Sequence, residues 1–328
     1  MIYDAMILGP TGQVGRHILR ELMQRTSSIV AVMRRSSVYE AQDDLDTLGI
    51  GDVSCVDIVL GDAVDCDLPD ARAVFNAAGN TNLSAGIQEH WAPNVLLNTR
   101  LATYCSDRVV PYHYISTVST ALFRRYHLLE TNDPIPDVRM TPYTLTKVLG
   151  ELAATSIVPP PLLRIYRICD VVPDLLRLEH DWRRDHWLSI LTWAGKRAFD
   201  EIPHTRDFYL ATGSEVGKAI VTLAHREHTV SRFHVIGNRY YAGYLASRSD
   251  MHITSNKAVQ YGQQVARMLY RGEAWKWPID GDSTRLYLES LGVTYQRLND
   301  DYWTAFRDFT IARGLSQRTK ETEVSSPS

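Results

Sequence analysis

Tyr143 and Lys147 stand four residues apart in the stretch Tyr143-Thr144-Leu145-Thr146-Lys147. On a helix that spacing puts both side chains on one face. The helix has local support, because Thr141 is a good N-cap and Pro142 suits the first helical position. A phenol beside an ammonium is a proton-transfer pair. A free tyrosine, with a pKa of about 10, exchanges its proton poorly at neutral pH. A neighbouring positive charge stabilises the phenolate and is expected to lower that value. A third group comes from the strand-like run ending Tyr114-Ile115-Ser116-Thr117. The Thr117 hydroxyl can hydrogen-bond a substrate oxygen and align it with the tyrosine proton. Ser116 and Ser119 are nearby hydroxyls open to the same task.

A tyrosine and a lysine at this spacing are common, so the weight falls on what accompanies them. Gly9-Pro10-Thr11-Gly12-Gln13-Val14-Gly15 follows the first apolar run and opens a helical pattern. Glycines so spaced let the chain turn sharply and let a pyrophosphate approach a helix N-terminus, where free N–H groups and the helix dipole favour negative charge. Gly9, Thr11, Gly12, Gln13, Val14 and Gly15 are therefore the expected dinucleotide cradle, the alternative being a turn without a ligand. The second apolar run ends Met33-Arg34-Arg35-Ser36-Ser37, with no carboxylate to hold the ribose 2′-hydroxyl of NAD. Arg34 and Arg35 offer guanidinium forks and Ser36 a hydrogen bond, which suits the 2′-phosphate of NADPH or NADP. The competing reading is a solvated pair of surface arginines. Asp62 ends the third run and could accept from the adenine amino group or simply make a turn. Ala77, Ala78 and Gly79 end the fourth run, small enough for the backbone to lie against ribose and nicotinamide. With a nicotinamide in place, Lys147 gains a second use, holding the hydroxyls of its ribose.

The elements that must position these residues alternate. Strand-like runs cover 2–8, 29–33, 56–60, 73–75, 112–115 and 162–166, and helical patterns cover 14–25, a stretch through Leu96, Leu97 and Leu101, and about 142–156. Strand and helix in alternation imply right-handed crossovers and a parallel sheet. Beyond that, 214–226 reads as a helix, 233–237 as a strand, and 256–271 and 283–291 as helices. The predicted fold is α/β, a Rossmann-type doubly wound parallel sheet with a smaller, mostly helical C-terminal substrate domain. Residues 1–168 plus about 207–238 form the dinucleotide-binding domain; about 169–206 and 239–315 form the substrate region; 316–328 is expected to be a disordered tail.

Composition closes off other classes. Hydrophobic residues make up 45% and charged residues 22% of 328, a globular balance that excludes disorder or coiled coil for the whole chain. The formal charge of −3 argues against broad nucleic-acid binding, which needs a basic surface. Cys55, Cys66, Cys105 and Cys169 form no CxxC pair, so no zinc site or redox dithiol is expected, and a reduced, cytoplasmic setting is the simplest reading. The N-terminus lacks a signal peptide and no run approaches the roughly 20 apolar residues of a membrane span.

Taken in order, the motifs resemble the extended short-chain dehydrogenase/reductase family: Gly9 to Gly15, Gly61-Asp62, Asn76-Ala77-Ala78, Asn94-Val95, Ser116-Thr117, Tyr143 with Lys147, and Tyr166-Arg167-Ile168. The resemblance covers about residues 2–240 and is most similar to the thioester-reductase and male-sterility branch. It implies a Thr117–Tyr143–Lys147 catalytic set, NADPH as hydride source, and a place for Arg167 among the cofactor-binding residues. It also implies a substrate such as an acyl thioester on a carrier's phosphopantetheine arm. The chain opens on the glycine loop, so no adenylation or carrier domain is expected ahead of it. Ile168-Cys169-Asp170-Val171-Val172-Pro173 departs from the family's usual proline and glycines. Pairing of two copies through the helices near 90–106 and 142–156 would be common for the family.

The expected activity is reduction of a carbonyl (ketone, aldehyde or acyl thioester) in a largely apolar metabolite, a candidate biosynthetic intermediate. A cofactor-retaining epimerase or dehydratase of the same family, or a non-catalytic NADP(H) sensor, are the alternatives. Sensors tend to lose the tyrosine, which is present here. On the substrate side, Trp182 and Trp187 could wall an apolar pocket and Arg183 or Arg184 could meet an anionic group, although a helix packed through Trp187, Ile190 and Leu191 is the plainer reading. His180 and His186 lack a third ligand, so no metal site is expected. Trp275 and Trp277 read as packing residues rather than a nucleic-acid surface.

Overall fold

A computed structural model describes residues 1–49, 51–62, 64–83, 85–121, 129–174, 207–227, 231–248, 252–253, 279–312 and 316–317. Its centre is a seven-stranded sheet of β1 (Ala5–Leu8), β2 (Ile29–Met33), β3 (Val56–Leu60), β4 (Val74–Asn76), β5 (Tyr112–Thr117), β6 (Leu163–Ile168) and β9 (Arg232–Val235). The spatial order is β3-β2-β1-β4-β5-β6-β9, with every neighbouring pair parallel. β1 and β2 are buried along their whole length, as strands covered on both faces must be. Alternation then divides their side chains between two cores. Ala5 and Ile7 face one with Ile18, Leu22 and Ile220; Met6 and Leu8 face the other with Leu101, Tyr112 and Ile165.

The helices supply those faces. α1 (Gly15–Met23) buries Ile18, Leu19 and Leu22 and packs on α6 (Gly213–Ala224). On the opposite face lie α3 (Ile87–Trp91), a π-helical turn at Ala92–Leu96, α4 (Leu97–Arg108) and α5 (Pro142–Ile157). α2 (Val38–Asp46) follows β2 and buries only Ala41 and Leu45. That thin apolar stripe is why the periodicity does not announce it.

The chain order reverses between β1 and β4, so loops leaving these two strands part toward opposite faces and open a crevice at their C-terminal ends. The glycine loop leaves β1 there, Ala77–Gly79 leaves β4, and Thr117 ends β5 one strand further on.

A second, three-stranded sheet has the order β10 (Asn238–Tyr241), β8 (Asp207–Thr212), β7 (Asp170–Val172), with β8 parallel to β7 and antiparallel to β10. The expected division puts 207–238 with the large sheet; the strand at its start pairs in the small one. β8 does not join the large sheet, although α6 and β9 after it do belong to that layer. Phe208 and Leu210 are buried while Asp207 and Tyr209 are half-buried, the alternation of a strand with one covered face. The stretches expected to form a mostly helical substrate region hold strands beside helices. Besides α7 (Ala242–Arg248), α8 (Asp282–Ser290) and α9 (Asp300–Ala312), they hold β7, β10 and an antiparallel pair of His252–Ile253 with Ser316–Gln317. The predicted tail therefore begins as a strand. The Trp-rich block at 180–187, the helix predicted at 256–271 and Trp275–Trp277 lie outside the described residues. Among the described residues no helix is long and apolar enough to cross a membrane.

α5 carries Tyr143 and Lys147, and its start is set locally. The Thr141 side chain accepts from the Thr144 N–H at 3.2 Å, and Pro142 occupies the first turn, where no N–H is needed. Thr141→Ala removes that acceptor and is expected to cost about 1 kcal/mol, read as a lower urea midpoint at unchanged slope.

Candidate active site

A cleft of about 290 Å³ opens at the switch point between β1 and β4. Gly9, Pro10, Thr11 and Gly12 form one wall, Arg34 and Asp62 the far end, and Ala77, Ala78 and Gly79 the opposite wall. A roomier hollow of about 710 Å³, between the β3–β4 connection and α4, is ringed by Asp67, Asp70, Asp107, Arg100 and Arg108 and contains none of the candidate residues.

The cleft fits a dinucleotide in two respects. Gly9 has φ +72°, and a Cβ there would stand 2.7 Å from the Ala78 nitrogen, so the loop lies directly on the β4 backbone. A Cβ on Gly15 would collide with the Gly9 carbonyl, which folds the loop back over the start of α1. That helix end carries no side-chain cap at Val14 and no acidic residue in its first turn. It differs in this from α5 and α6, both capped by a threonine. An anion therefore meets a helix N-terminus no side chain has claimed. Gln13 does not face the cleft in the expected way. Its amide donates to the Val171 carbonyl at 3.1 Å and ties the glycine loop to β7.

The three residues expected at a 2′-phosphate separate. Arg34 lines the cleft with a largely exposed side chain, its guanidinium 3.9 Å from the Asp62 carboxylate. Arg35 is pulled back onto Asp44 of α2 and the Arg34 carbonyl. Ser36 donates its hydroxyl and its N–H to Glu40. Helix α2 thus competes for two of the three groups. Asp62 accepts from the Val64 N–H at 3.0 Å, so it makes the turn while still lining the cleft.

The Thr117 hydroxyl lies close enough to the Tyr143 phenol to lower its pKa. Lys147 lies one turn deeper, 5% exposed, donating to the Ile115 carbonyl at 3.0 Å with its ammonium 5.0 Å from the centre of the Tyr114 ring. A Cβ on Gly79 would stand 3.3 Å from Lys147 Nζ, so only glycine leaves that approach open from the cleft. The alternative hydroxyls are otherwise engaged: Ser116 donates to Glu151, and Ser119 meets Thr144 at 3.5 Å.

The expected acidification of the phenol is not present in the protein alone. Burial pushes Tyr143 up to about 12; the Thr117 hydrogen bond pulls it down and Asp170 pushes it further up. Burial lowers Lys147 to about 8, with Glu151 pulling the other way. The lysine spends its charge on the Ile115 carbonyl and Glu151, so in this state desolvation governs the tyrosine.

Arg167, expected among the cofactor-binding residues, lies away from the cleft. Its side chain is fully buried behind the reactive residues, paired with Glu151 at 2.7 Å and donating to the Asn132 carbonyl at 2.8 Å. No part of it reaches the cleft, because β6 turns this side chain toward α5 and β9. Among the described residues no cluster of potential ligands could hold a metal ion.

Three residues outside the expected catalytic and cofactor-binding set hold these elements together. Asn94, in the π-helical turn, accepts from the Asn80 N–H at 3.0 Å and donates to Thr146 at 3.1 Å, joining the β4 loop to α5. Buried His90 places its two ring nitrogens 3.1 Å from the Asn80 and Asn82 carbonyls, its ring 6.0 Å from that of Tyr143. Glu151 stands four residues after Lys147, fully buried. Its signal was in the spacing 143, 147, 151, which repeats one helical face.

Residues 5–159 match the model of the NAD dependent epimerase/dehydratase family. This part of the chain is similar to that family. It contains the glycine loop, Thr117, Tyr143 and Lys147, and agrees with the extended short-chain dehydrogenase/reductase resemblance of the motifs. No curated protein matches the sequence. Among solved structures, a thiolation-reductase di-domain from an archaeal non-ribosomal peptide synthetase is similar, with TM-score 0.74 and 16% identity over 96% of this chain and 76% of that one. The terminal R domain of the myxalamid PKS-NRPS biosynthetic pathway gives TM-score 0.74 and 18% identity over 96% and 92%. UDP-glucuronic acid 4-epimerase from Bacillus cereus, in complex with UDP-glucuronic acid and NAD, gives 0.64 and 16% over 95% and 100%. At such identities the likeness is one of fold.

Lys147 has a thermodynamic signature. A lysine whose folded pKa is lowered binds its proton more tightly in the unfolded chain, so its contribution to stability rises as pH climbs from about 8 toward the ordinary value of 10.5. The wild-type protein without cofactor is therefore expected to gain stability relative to Lys147→Met across that interval. Urea unfolding at stepped pH measures the difference, in which contributions common to both proteins, Tyr143 included, cancel.

Proposed function

We propose that the protein is an NADPH-dependent reductase of a carbonyl group in a largely apolar metabolite. The observation that carries this reading is the grouping of Thr117, Tyr143 and, one turn along α5, Lys147, near a cleft walled by the glycine loop and the end of β4. The bound cofactor would supply a hydride to the carbonyl carbon. Tyr143 donates its phenolic proton to the carbonyl oxygen, which makes the alcohol and leaves a phenolate. Thr117 hydrogen-bonds the same oxygen and fixes its distance from the phenol. Lys147, protonated below about pH 8, stabilises the phenolate and approaches the ribose hydroxyls past Gly79. The high resting pKa of Tyr143 suits a proton donor, since the group is held protonated until substrate and cofactor arrive.

NADPH is preferred because β2 ends in Arg34 and Arg35 without a carboxylate, and Arg34 stands over the cleft. A free or carrier-tethered acyl thioester is the substrate class suggested by the similar reductase domains. The epimerase reading draws on the similar NAD-bound structure, and nucleotide that survives purification would favour it.

A screen of aldehydes, ketones and acyl thioesters by NADPH consumption, with product identification, tests the activity. Tyr143→Phe is expected to lower kcat by about 100-fold or more while leaving the NADPH dissociation constant within about twofold. Wild-type turnover in that variant removes Tyr143 from the mechanism. Arg34→Ala is expected to weaken NADPH by about tenfold, on the scale of one hydrogen bond to a charged group, and to leave NADH nearly unchanged. Equal losses for both nucleotides, read by fluorescence titration, would refute the 2′-phosphate assignment.

A further inference from the structure

The far end of the cleft is contested between two guanidiniums and three carboxylates. Among the described residues lining the cleft, Arg34 and Arg35 are the cations, and they follow directly on β2. β2 brings no carboxylate with it, but α2 supplies two. Glu40 and Asp44 lie four residues apart on α2 and so share one face of it. That face meets the end of β2. Asp44 pairs with Nε of Arg35, and Nη1 of Arg35 donates back to the Arg34 carbonyl at 2.7 Å. Glu40 accepts from the Ser36 N–H at 3.0 Å and from the Ser36 hydroxyl at 2.5 Å. Asp62, the third carboxylate, stands 3.9 Å from Arg34, beyond hydrogen-bond length.

α2 does not depend on these two carboxylates for its own place. Ser37 caps its start by accepting from the Glu40 N–H at 3.1 Å, and Ala41 and Leu45 are its buried side. The carboxylates instead decide what the end of β2 can offer a ligand. A phosphate monoester carries a charge of about −1.5 to −2 at neutral pH. It recruits Arg35 only by drawing the guanidinium away from Asp44. The affinity gained is then the difference between two charge-assisted hydrogen bonds and not the whole of one. The same holds for the Ser36 hydroxyl, whose proton already goes to Glu40. Arg34 starts from the looser pairing, with its side chain 71% exposed.

We propose that Glu40 and Asp44 are specificity-determining residues of the cofactor cleft: by holding Ser36 and Arg35 they leave Arg34 to meet a 2′-phosphate, and so limit how far NADPH is preferred over NADH. The inference rests on the reading of the cleft as a dinucleotide site. Neither carboxylate has to touch the nucleotide. Each acts through the group it withholds, Asp44 through a guanidinium and Glu40 through a hydroxyl. Nucleotide without the 2′-phosphate has no use for either group, so its affinity does not register the two pairs.

Binding of 2′,5′-ADP and of 5′-AMP to the full chain isolates the 2′-phosphate and needs no turnover. In Asp44→Asn the 2′,5′-ADP dissociation constant is expected to fall about fivefold, less than a full hydrogen bond to a charged group gives, because the pair is open to water. The 5′-AMP constant is expected to stay within about twofold. Adding Arg35→Ala to Asp44→Asn is expected to take the gain away. Glu40→Ala is expected to give a smaller gain of the same kind, lost when Ser36→Ala is added. Unchanged 2′,5′-ADP binding in Asp44→Asn, or an equal gain for both nucleotides, overturns the proposal. So does a gain that survives Arg35→Ala, since the carboxylate would then act only as a nearby charge. A merely structural role for Asp44 would lower the urea midpoint without separating the two nucleotides. Should Asp44→Asn not fold, Glu40→Ala with and without Ser36→Ala decides it. A wild type that binds 5′-AMP as tightly as 2′,5′-ADP would refute the NADPH preference, while a preference emerging in Asp44→Asn would still uphold this inference. A chain that binds neither nucleotide refutes both.

Discussion

A lysine ammonium taken out of water is the constraint around which this site is built. An isolated charge in a protein interior costs several kcal/mol unless it is paired and hydrogen-bonded. Lys147 is met by the Ile115 carbonyl, the face of Tyr114 and the carboxylate of Glu151 one turn along its own helix. Each of these partners sits on an element whose position is thereby restrained: β5 twice, and α5. The same dry surroundings raise Tyr143, so one cause accounts for both perturbed groups. Perturbed groups that share a cleft are where proton transfer is expected.

The parallel sheet explains why these groups meet where a ligand can reach them. All seven strands point one way, so the loops leaving β1, β4 and β5 emerge on a single edge. The reversal of order at β1 and β4 leaves a gap there instead of a packed helix. Small residues then set the distances. Gly9 lies against Ala77 and Ala78, and Gly79 leaves room for the lysine. The side chain of Gln13 joins this edge to the second sheet through Val171, and Asp170 at the start of the same strand acts on Tyr143. The three-stranded sheet is thus coupled to both the glycine loop and Tyr143.

The elements around the candidate site were legible because they depend on near neighbours in the chain. Thr141 and Pro142 mark the start of α5 within one residue, and the glycine loop sits between β1 and α1 as its spacing implies. What misled were residues whose partners are distant or belong to weakly patterned elements. Arg35 and Ser36 look like phosphate ligands until α2 supplies Asp44 and Glu40. Arg167 looks like a cofactor residue until β6 is paired between β5 and β9 and turns it onto Glu151. The strand at 207–212 carries no marked signal in the sequence, and its pairing with β7 and β10 places it in the small sheet.

By itself the sequence determined the doubly wound topology, the cradle and the helical face shared by Tyr143 and Lys147. Each of these follows from local turn chemistry and from periodicities of 2 and 3.6 residues, which act over a few neighbours. Only the tertiary structure decided the charges. Which ammonium is desolvated, which guanidinium is neutralised and whether the phenol is acid or weak depend on burial and on ion pairs between strands and helices far apart in the chain. Coulomb energies in a dry interior are set by distances in space, and those exist only once the sheet has closed over them.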